Sequence, residues 1–432
     1  MSSSTPLAQW LAAIEQRHPT AIQLGLDRIG RVLDRLDLRQ PRATVITVAG
    51  TNGKGSTVAF LESIYRQAGY RTGAYTSPHL QRFNERVRVQ GQEVDDEALC
   101  EAFAAVEAAR GANELTYFEF ATAAALLVFA RAEVDVIVLE VGLGGRLDAV
   151  NAVDAAAAAV VTVALDHTEW LGDTREDIGW EKAHVYRPGA PAVCGDPDPP
   201  QRLLAHAAQI GAPLQVATRD YRWTLEGETW DFHGAAGTLE ALPLPAASGA
   251  FQLHNASVAL SLVQSLQGRL VVSREAIANG LTQVEVSGRL QRRGGPVTWL
   301  FDVAHNVQAA QALAKALQEE ESAGPGRTLA VFGMMRDKDI DGVARVLTPL
   351  VDEWWMASLP PPRGVQAQAL ESAVAEAALA LGAQSKTHVS ASVDAACADA
   401  HASAQPGDRV VVFGSFLTVG PGLAAYAALA ER

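Results

Sequence analysis

The segment Ala49–Thr57, AGTNGKGST, constrains this chain more than any other stretch of it. It follows the β-branched run Thr44–Ala49 (TVITVA). It opens the stretch Ser56–Ala68, where Val58, Leu61, Ile64, Tyr65 and Ala68 recur at helical spacing. A strand that passes through a glycine turn into a helix offers an anion unpaired backbone N–H groups and the positive end of the helix dipole. Glycines let that backbone come close, and Lys54 adds a point charge for β and γ phosphates. The pattern departs from GxxxxGK[ST], because Val48 stands where the first glycine belongs and Gly55 separates Lys54 from Ser56. A glycine turn with an exposed lysine is the plain alternative. The strand–turn–helix setting favours ATP, with Gly53, Lys54, Gly55 and Ser56 as its contacts.

Beyond this turn, apolar strand-like runs alternate with helical stretches, the mark of an α/β fold with a largely parallel central sheet. Val134–Val141 (VDVIVLEV) and Ala159–Leu165 (AVVTVAL) are apolar on both faces and read as buried central strands. Val193–Pro200 and Gly211–Gly237 read as the far side of that sheet plus an antiparallel excursion. Gly237–Phe251 carries prolines and small residues without a helical period, so a linker or extended arm is expected there. A short helix, Asn255–Leu266, follows. A second strand–helix series starts near Pro296, with TWLFDVAHN, TLAVFGMM and RVVVFGSF each running into a glycine or a polar turn. The expected division is 1–292, carrying the phosphate loop, and 293–432, a smaller Rossmann-like α/β domain.

Composition narrows the function. Of 432 residues, 48% are hydrophobic and 19% charged, which excludes wholesale disorder. The net charge of −14 gives no global attraction to nucleic acid or anionic lipid, and neither is an expected partner. Cys100, Cys194 and Cys397 lie far apart with no CxxC pair, which argues against disulfides or zinc and suits a reducing cytosol. MSSSTPLAQWLAAIEQRHP has no basic segment leading into an apolar core, so no secretory signal is expected, and the longest apolar runs are too short to span a bilayer. A cytoplasmic location follows.

Several strand ends carry chemistry-bearing residues, where open α/β sheets bind ligands. Glu140 closes one strand; it is either paired with Arg146 or set to bind a ligand. His167 follows another in the DHT turn; alone, it reads as a capping or core histidine. Lys182, in an expected helix Arg175–Tyr186, reads by itself as a solvated surface lysine. Gly142-Leu143-Gly144-Gly145 lacks the GxGxxG spacing of a dinucleotide loop, so its expected task is to let backbone approach a ligand.

The departures in GTNGKGS are themselves informative, because the loop resembles that of the Mur ligase superfamily of ATP-dependent acid–amino acid ligases. Within it, the chain is similar to the bifunctional dihydrofolate synthase/folylpolyglutamate synthases. The blocks that carry the resemblance run in family order over nearly the whole chain: LGLDR (Leu24–Arg28), SPHL (Ser77–Leu80), NERVRVQG (Asn84–Gly91) and LTYFE (Leu115–Glu119). LEVGLGGRLDAVN (Leu139–Asn151), ALDHTEWLG (Ala164–Gly172) and EKA (Glu181–Ala183) come next. SGR (Ser287–Arg289), FDVAHN (Phe301–Asn306), MMRDKD (Met334–Asp339) and FGSF (Phe413–Phe416) complete the set.

The resemblance implies a two-step ligase. A carboxylate attacks the γ-phosphate of ATP to give an acyl phosphate, and the amine of L-glutamate then displaces phosphate. Acceptors would be dihydropteroate and reduced folates. Ser77, Glu140 and His167 match magnesium ligands. Lys182 matches a lysine that is carbamylated to help hold a second magnesium ion, so Lys54, Lys182 and His167 become the catalytic candidates. Asn255, Arg289 and Asp302 match ATP contacts. Gln23, Leu24, Gly25, Thr116, Tyr117, Phe118, Glu119, Leu147, Asp148 and Ala149 match a dihydropteroate site. There Tyr117 and Phe118 offer stacking surface and Asp148 or Glu119 accept ring N–H groups, unless both aromatics are simply core. His305 and Ser415 are candidates for the nucleotide or the incoming glutamate, with an ordinary turn role as the alternative. A monomer is expected. Rivals are a monofunctional folylpolyglutamate synthase, a ligase acting on a cell-wall precursor, a P-loop NTPase switch and a non-catalytic nucleotide-binding protein.

Overall fold

The computed structural model describes residues 7–17, 23–247, 249–321 and 326–430, so the first six residues of the N-terminal stretch and His18–Ile22 lie outside the described residues. Two compact units emerge: residues 1–246 with 252–285, and residues 247–251 with 286–432.

In the first unit eight strands form one sheet: β1 (Thr44–Ala49), β2 (Thr72–Tyr75), β3 (Val87–Val89), β4 (Gln92–Glu93), β5 (Val136–Glu140), β6 (Ala157–Val160), β7 (Ala192–Cys194) and β8 (Leu214–Val216). Their order is β4-β3-β2-β5-β1-β6-β7-β8. From β2 to β8 all pairings are parallel, and β3 and β4 add an antiparallel edge. Every residue of β1 and of β5 is buried, as expected for strands covered on both faces by crossover helices. The chain leaves β1 toward β2 and β5 on one side and later returns on the other as β6. The carboxyl end of β1 is therefore the switch point where open α/β sheets hold ligands.

The strand expected at Ala159–Leu165 ends at Val160. Its partner β1 stops at Ala49 and turns into the phosphate loop, so Thr162 and Ala164 bond to that loop instead of extending a ladder. Gly237–Phe251 is not a linker throughout. Gly237–Pro243 is β11 of a three-stranded antiparallel sheet with β9 (Arg222–Glu226) and β10 (Thr229–Gly234), whose Trp230 and Phe232 are fully buried. The following helix starts at Ala250, ahead of the expected Asn255, and runs to Ser265.

The second unit carries a six-stranded sheet: β12 (Gln291–Arg293), β13 (Thr298–Asp302), β14 (Thr328–Phe332), β15 (Glu353–Ala357), β16 (Lys386–Ser390) and β17 (Arg409–Phe413), in the order β12-β13-β17-β14-β15-β16. All neighbours are parallel except β12, which pairs antiparallel with β13. That edge strand draws the unit's start back to Val286, seven residues ahead of the expected 293. No helix among the described residues is long and apolar enough to cross a membrane.

Candidate active site

The turn from β1 into the helix Lys54–Gln67 is made by Gly53, which caps the helix at φ 83°, a left-handed conformation that favours glycine. A side chain there would also strike Asn255, since a Cβ would stand 2.3 Å from its Oδ1. The first turn has no earlier helical carbonyl to receive its N–H groups, and the buried Ser56 hydroxyl has no hydrogen-bond partner. This is the donor set a phosphate requires. The loop is laced to the segment after β6. Thr51 N donates to Thr162 O (2.8 Å), Asn52 N donates to Thr162 Oγ1 (2.9 Å), and Thr51 Oγ1 exchanges bonds with Ala164.

Two lysines meet on one carbonyl. Lys54 Nζ donates to Gly50 O (2.9 Å) and Thr51 O (3.1 Å), and Lys182 Nζ reaches the same Gly50 O at 3.1 Å. Lys182 is not the surface residue its sequence context suggested; it is 4% exposed. Its helix, Arg175–Ala183, ends three residues earlier than expected, capped at its start by Thr174. Gly145 explains the burial. A Cβ there would lie 2.8–2.9 Å from the carbonyls of Glu181 and Lys182, so glycine lets the GLGG turn press on that helix. Burial, and then the charge of Lys54, lower the Lys182 ammonium to about 7, with Asp166 and Asp148 pulling the other way. A lysine at that value is a usable nucleophilic amine near neutrality.

At the adjacent strand end, the buried Glu140 accepts from Ser77 N at 3.1 Å, and its carboxylate lies beside Gly55. The alternative pairing with Arg146 is overturned, because Arg146 forks onto Glu181 (2.9 Å). His167 caps the short helix Thr168–Leu171 in a left-handed conformation. Among the described residues no three His, Cys, Asp or Glu side chains gather as a ready metal cage. Magnesium does not need one: it keeps waters and takes one or two carboxylates plus phosphate oxygens. Glu140 and Ser77 supply hard oxygens next to the phosphate turn, which fits that habit.

The residues matched to dihydropteroate converge in the same unit. Gly25 N donates to Leu147 O (3.2 Å), and Arg28 ties Glu119 to the Gln23 carbonyl. Thr116 and Glu119 form a reciprocal capping box at the start of the helix Tyr117–Arg131. Tyr117 and Phe118 are half-buried rather than sealed in the core. Phe118 covers Gly142 and lies 5.9 Å from the Tyr75 ring. Asp148 accepts from Leu143 N and Val150 N, and burial pushes it up to about 7. Ala149 follows in a single buried 3-10 turn.

In the second unit, Asp302 ends β13 and accepts from Leu290 N and Ala304 N. Burial raises its carboxyl, against the opposing charge of Arg289. The Arg289 guanidinium lies 5.4 Å from the Phe416 ring centroid. His305 Nδ1 bonds to Val303 O, and buried Ser415 receives Leu417 N at the start of the helix Phe416–Ala430. Asp166, whose charge bears on Lys182, was missed by the sequence reading. Its place at the head of the DHT turn was the available signal.

Comparisons with known proteins place the chain in a family. The family of the Mur ligase glutamate ligase domain matches residues 288–416. The chain is 45% identical over 420 residues to the dihydrofolate synthase/folylpolyglutamate synthase of Escherichia coli K12, covering 96% of this chain and 94% of that protein. It matches E. coli FolC in complex with DHPP and ADP with a TM-score of 0.93 at 43% identity over 100% of both chains. It matches a bifunctional folylpolyglutamate synthase/dihydrofolate synthase with Mn, AMPPNP and L-glutamate bound with a TM-score of 0.89 at 42% identity over 99% of both. A strand–turn–helix phosphate cradle, a buried lysine and full-length likeness at this level lead to one conclusion: the chain belongs to the dihydrofolate synthase/folylpolyglutamate synthase family of the Mur ligase superfamily, the ATP-dependent acid–amino acid ligases.

Proposed function

We propose that this ATP-dependent ligase, which forms dihydrofolate and folylpolyglutamates, runs its chemistry at the carboxyl end of β1. The observation that carries the reading is the convergence of Lys54 and the buried Lys182 on the Gly50 carbonyl, in the unit that also holds Glu140 and Ser77. The carboxylate of dihydropteroate or of a reduced folate attacks the γ-phosphorus of ATP, giving an acyl phosphate and ADP. The amine of L-glutamate then attacks the activated carbonyl and releases phosphate. Lys54 and the first-turn N–H groups offset phosphate charge. Asn255, Arg289 and Asp302 hold the nucleotide, while His305 and Ser415 receive glutamate.

Ser77, Glu140 and His167 would hold magnesium, which would neutralise charge on the phosphates. Lys182 is carbamylated. Its neutral amine attacks carbon dioxide, an N–C bond forms as one C=O π bond opens onto oxygen, a proton leaves, and the carboxylate-like product would be able to help hold a second magnesium ion. The lowered ammonium supports this, since about half the amine is neutral at about pH 7. The pterin acid rests on Tyr117 and Phe118, bounded by Gln23, Leu24, Gly25, Thr116, Glu119, Leu147, Asp148 and Ala149. The enzyme acts as a monomer in the cytoplasm, where three buried cysteine thiols are at home.

The test is ADP release with each component omitted in turn. Release that requires both a pterin acid and glutamate supports the ligase. Lys54→Ala is expected to lose about 10²–10³-fold in kcat, the scale of losing one preorganised charge-stabilising donor; an unchanged rate would overturn the site.

A further inference from the structure

Two neighbouring arginines on the NERVRVQG stretch are treated differently by the fold. Arg88 has its counter-charge, with Glu62 at 2.8 Å. Arg86 has none. It is 9% exposed, and among the described residues no carboxylate pairs with it. Its Nε donates to Nδ1 of His79 at 2.9 Å, so the partner is the accepting nitrogen of an imidazole rather than an anion. The guanidinium carbon lies 5.4 Å from the Phe83 ring centroid and 5.5 Å from that of Tyr117. These faces attract the cation without neutralising it.

The turn that carries Arg86 is held firmly. The Glu85 carboxylate accepts the N–H groups of Leu80, Gln81 and Arg82, each at 2.7 Å, and Arg86 O accepts Thr76 N at 2.9 Å. A buried cation with no counter-charge is costly until an anion arrives. The place is also telling. Arg86 reaches Tyr117 at the head of the pterin-lining helix on one side, and its backbone is bonded to the residue before Ser77 on the other. A guanidinium whose outer N–H groups have no hydrogen-bond partner among the described residues suits a carboxylate.

We propose that Arg86 is a specificity-determining residue that receives the carboxylate of the pterin acid and orients it toward the phosphate turn. The proposal rests on the pterin-acid reading above. It is tested by calorimetry of the full chain with dihydropteroate and with its carboxamide. The wild type prefers the acid by about tenfold or more, the scale of a hydrogen bond to a charged group. Arg86→Gln binds the carboxamide within about twofold of wild type but loses that preference, and Arg86→Lys keeps only part of it. A thermal scan of each variant reports folding. If Arg86→Gln does not fold, Arg86→Lys decides: an unchanged acid-to-amide ratio overturns the proposal. It is equally overturned if Arg86→Gln keeps the wild-type ratio, or if a wild type that binds the acid shows no preference for it. Wild type that binds neither ligand sinks the pterin-acid reading, and the proposal with it.

Discussion

Asp148 in the first unit and Glu353 in the second are buried to nearly the same degree, at 2% and 3% exposed, yet their environments push them in opposite directions. Asp148 accepts backbone N–H groups of Leu143, Val150 and Gly142 and feels the charge of Lys54, but burial wins, raising it to about 7. Glu353, at the start of β15, is clasped by Arg327, Lys386 and His388. Burial pushes it up, but the bonds and charges of Lys386 and His388 outweigh that and hold it below its ordinary value. One carboxylate is matched to its surroundings and serves as a clasp. The other, with Lys182 nearby, is left poised near neutrality in the unit where chemistry is expected.

The sharpest way to break this contrast is Lys182→Arg. A guanidinium keeps the charge but cannot form a carbamate, so turnover is expected to fall at least about 10²-fold, with the fold checked by thermal unfolding. Near-normal turnover would make Lys182 a structural lysine. Enzyme given ¹³C-bicarbonate should show a carbamate carbon by NMR that the variant lacks.

Asp148→Asn tests the poised side of the comparison through stability. A carboxyl raised in the folded state disfavours folding wherever the unfolded chain is ionised. Wild-type stability is therefore lost as pH rises from about 4 through about 7. The variant lacks this slope, and should gain on wild type by about 4 kcal/mol across that window, above a pH-independent offset from its altered hydrogen bonds. Parallel stability curves would show that Asp148 is matched after all.

Glu353→Gln should have the smallest effect, about 1 kcal/mol at pH 7, because its partners' side chains are 37–65% exposed and solvent screens them. The sign with pH is reversed. A carboxyl lowered in the fold contributes above about pH 4.3 and loses its contribution as pH falls through its lowered value. Urea titrations between pH 3 and 7 should find the variant converging on wild type at the acid end.

How far the site was legible depended on whether its parts were local. The strand–glycine turn–helix at Ala49–Thr57 was legible from spacing, because glycine conformation and helix ends are short-range facts. The burial of Lys182 was not, since nothing near it in sequence says that Gly145 presses on its helix and seals it against Gly50. Arg146 was an open partner for Glu140 until the fold offered it Glu181. The run Ala159–Leu165 has strand composition throughout, but a strand lasts only as long as its neighbour, and β1 turns away at Ala49. The extent of the second unit was misjudged for a related reason: β12 is short and polar, and only its antiparallel pairing with β13 reveals it as sheet.

The lacing of Thr51 and Asn52 to Thr162 and Ala164 carries one more consequence. It fuses the nucleotide cradle to the strip of chain leading into His167, so the two behave as one mechanical part. A replacement that slackens Thr162 would be felt at both ends, blunting the grip on triphosphate and misaiming the histidine together.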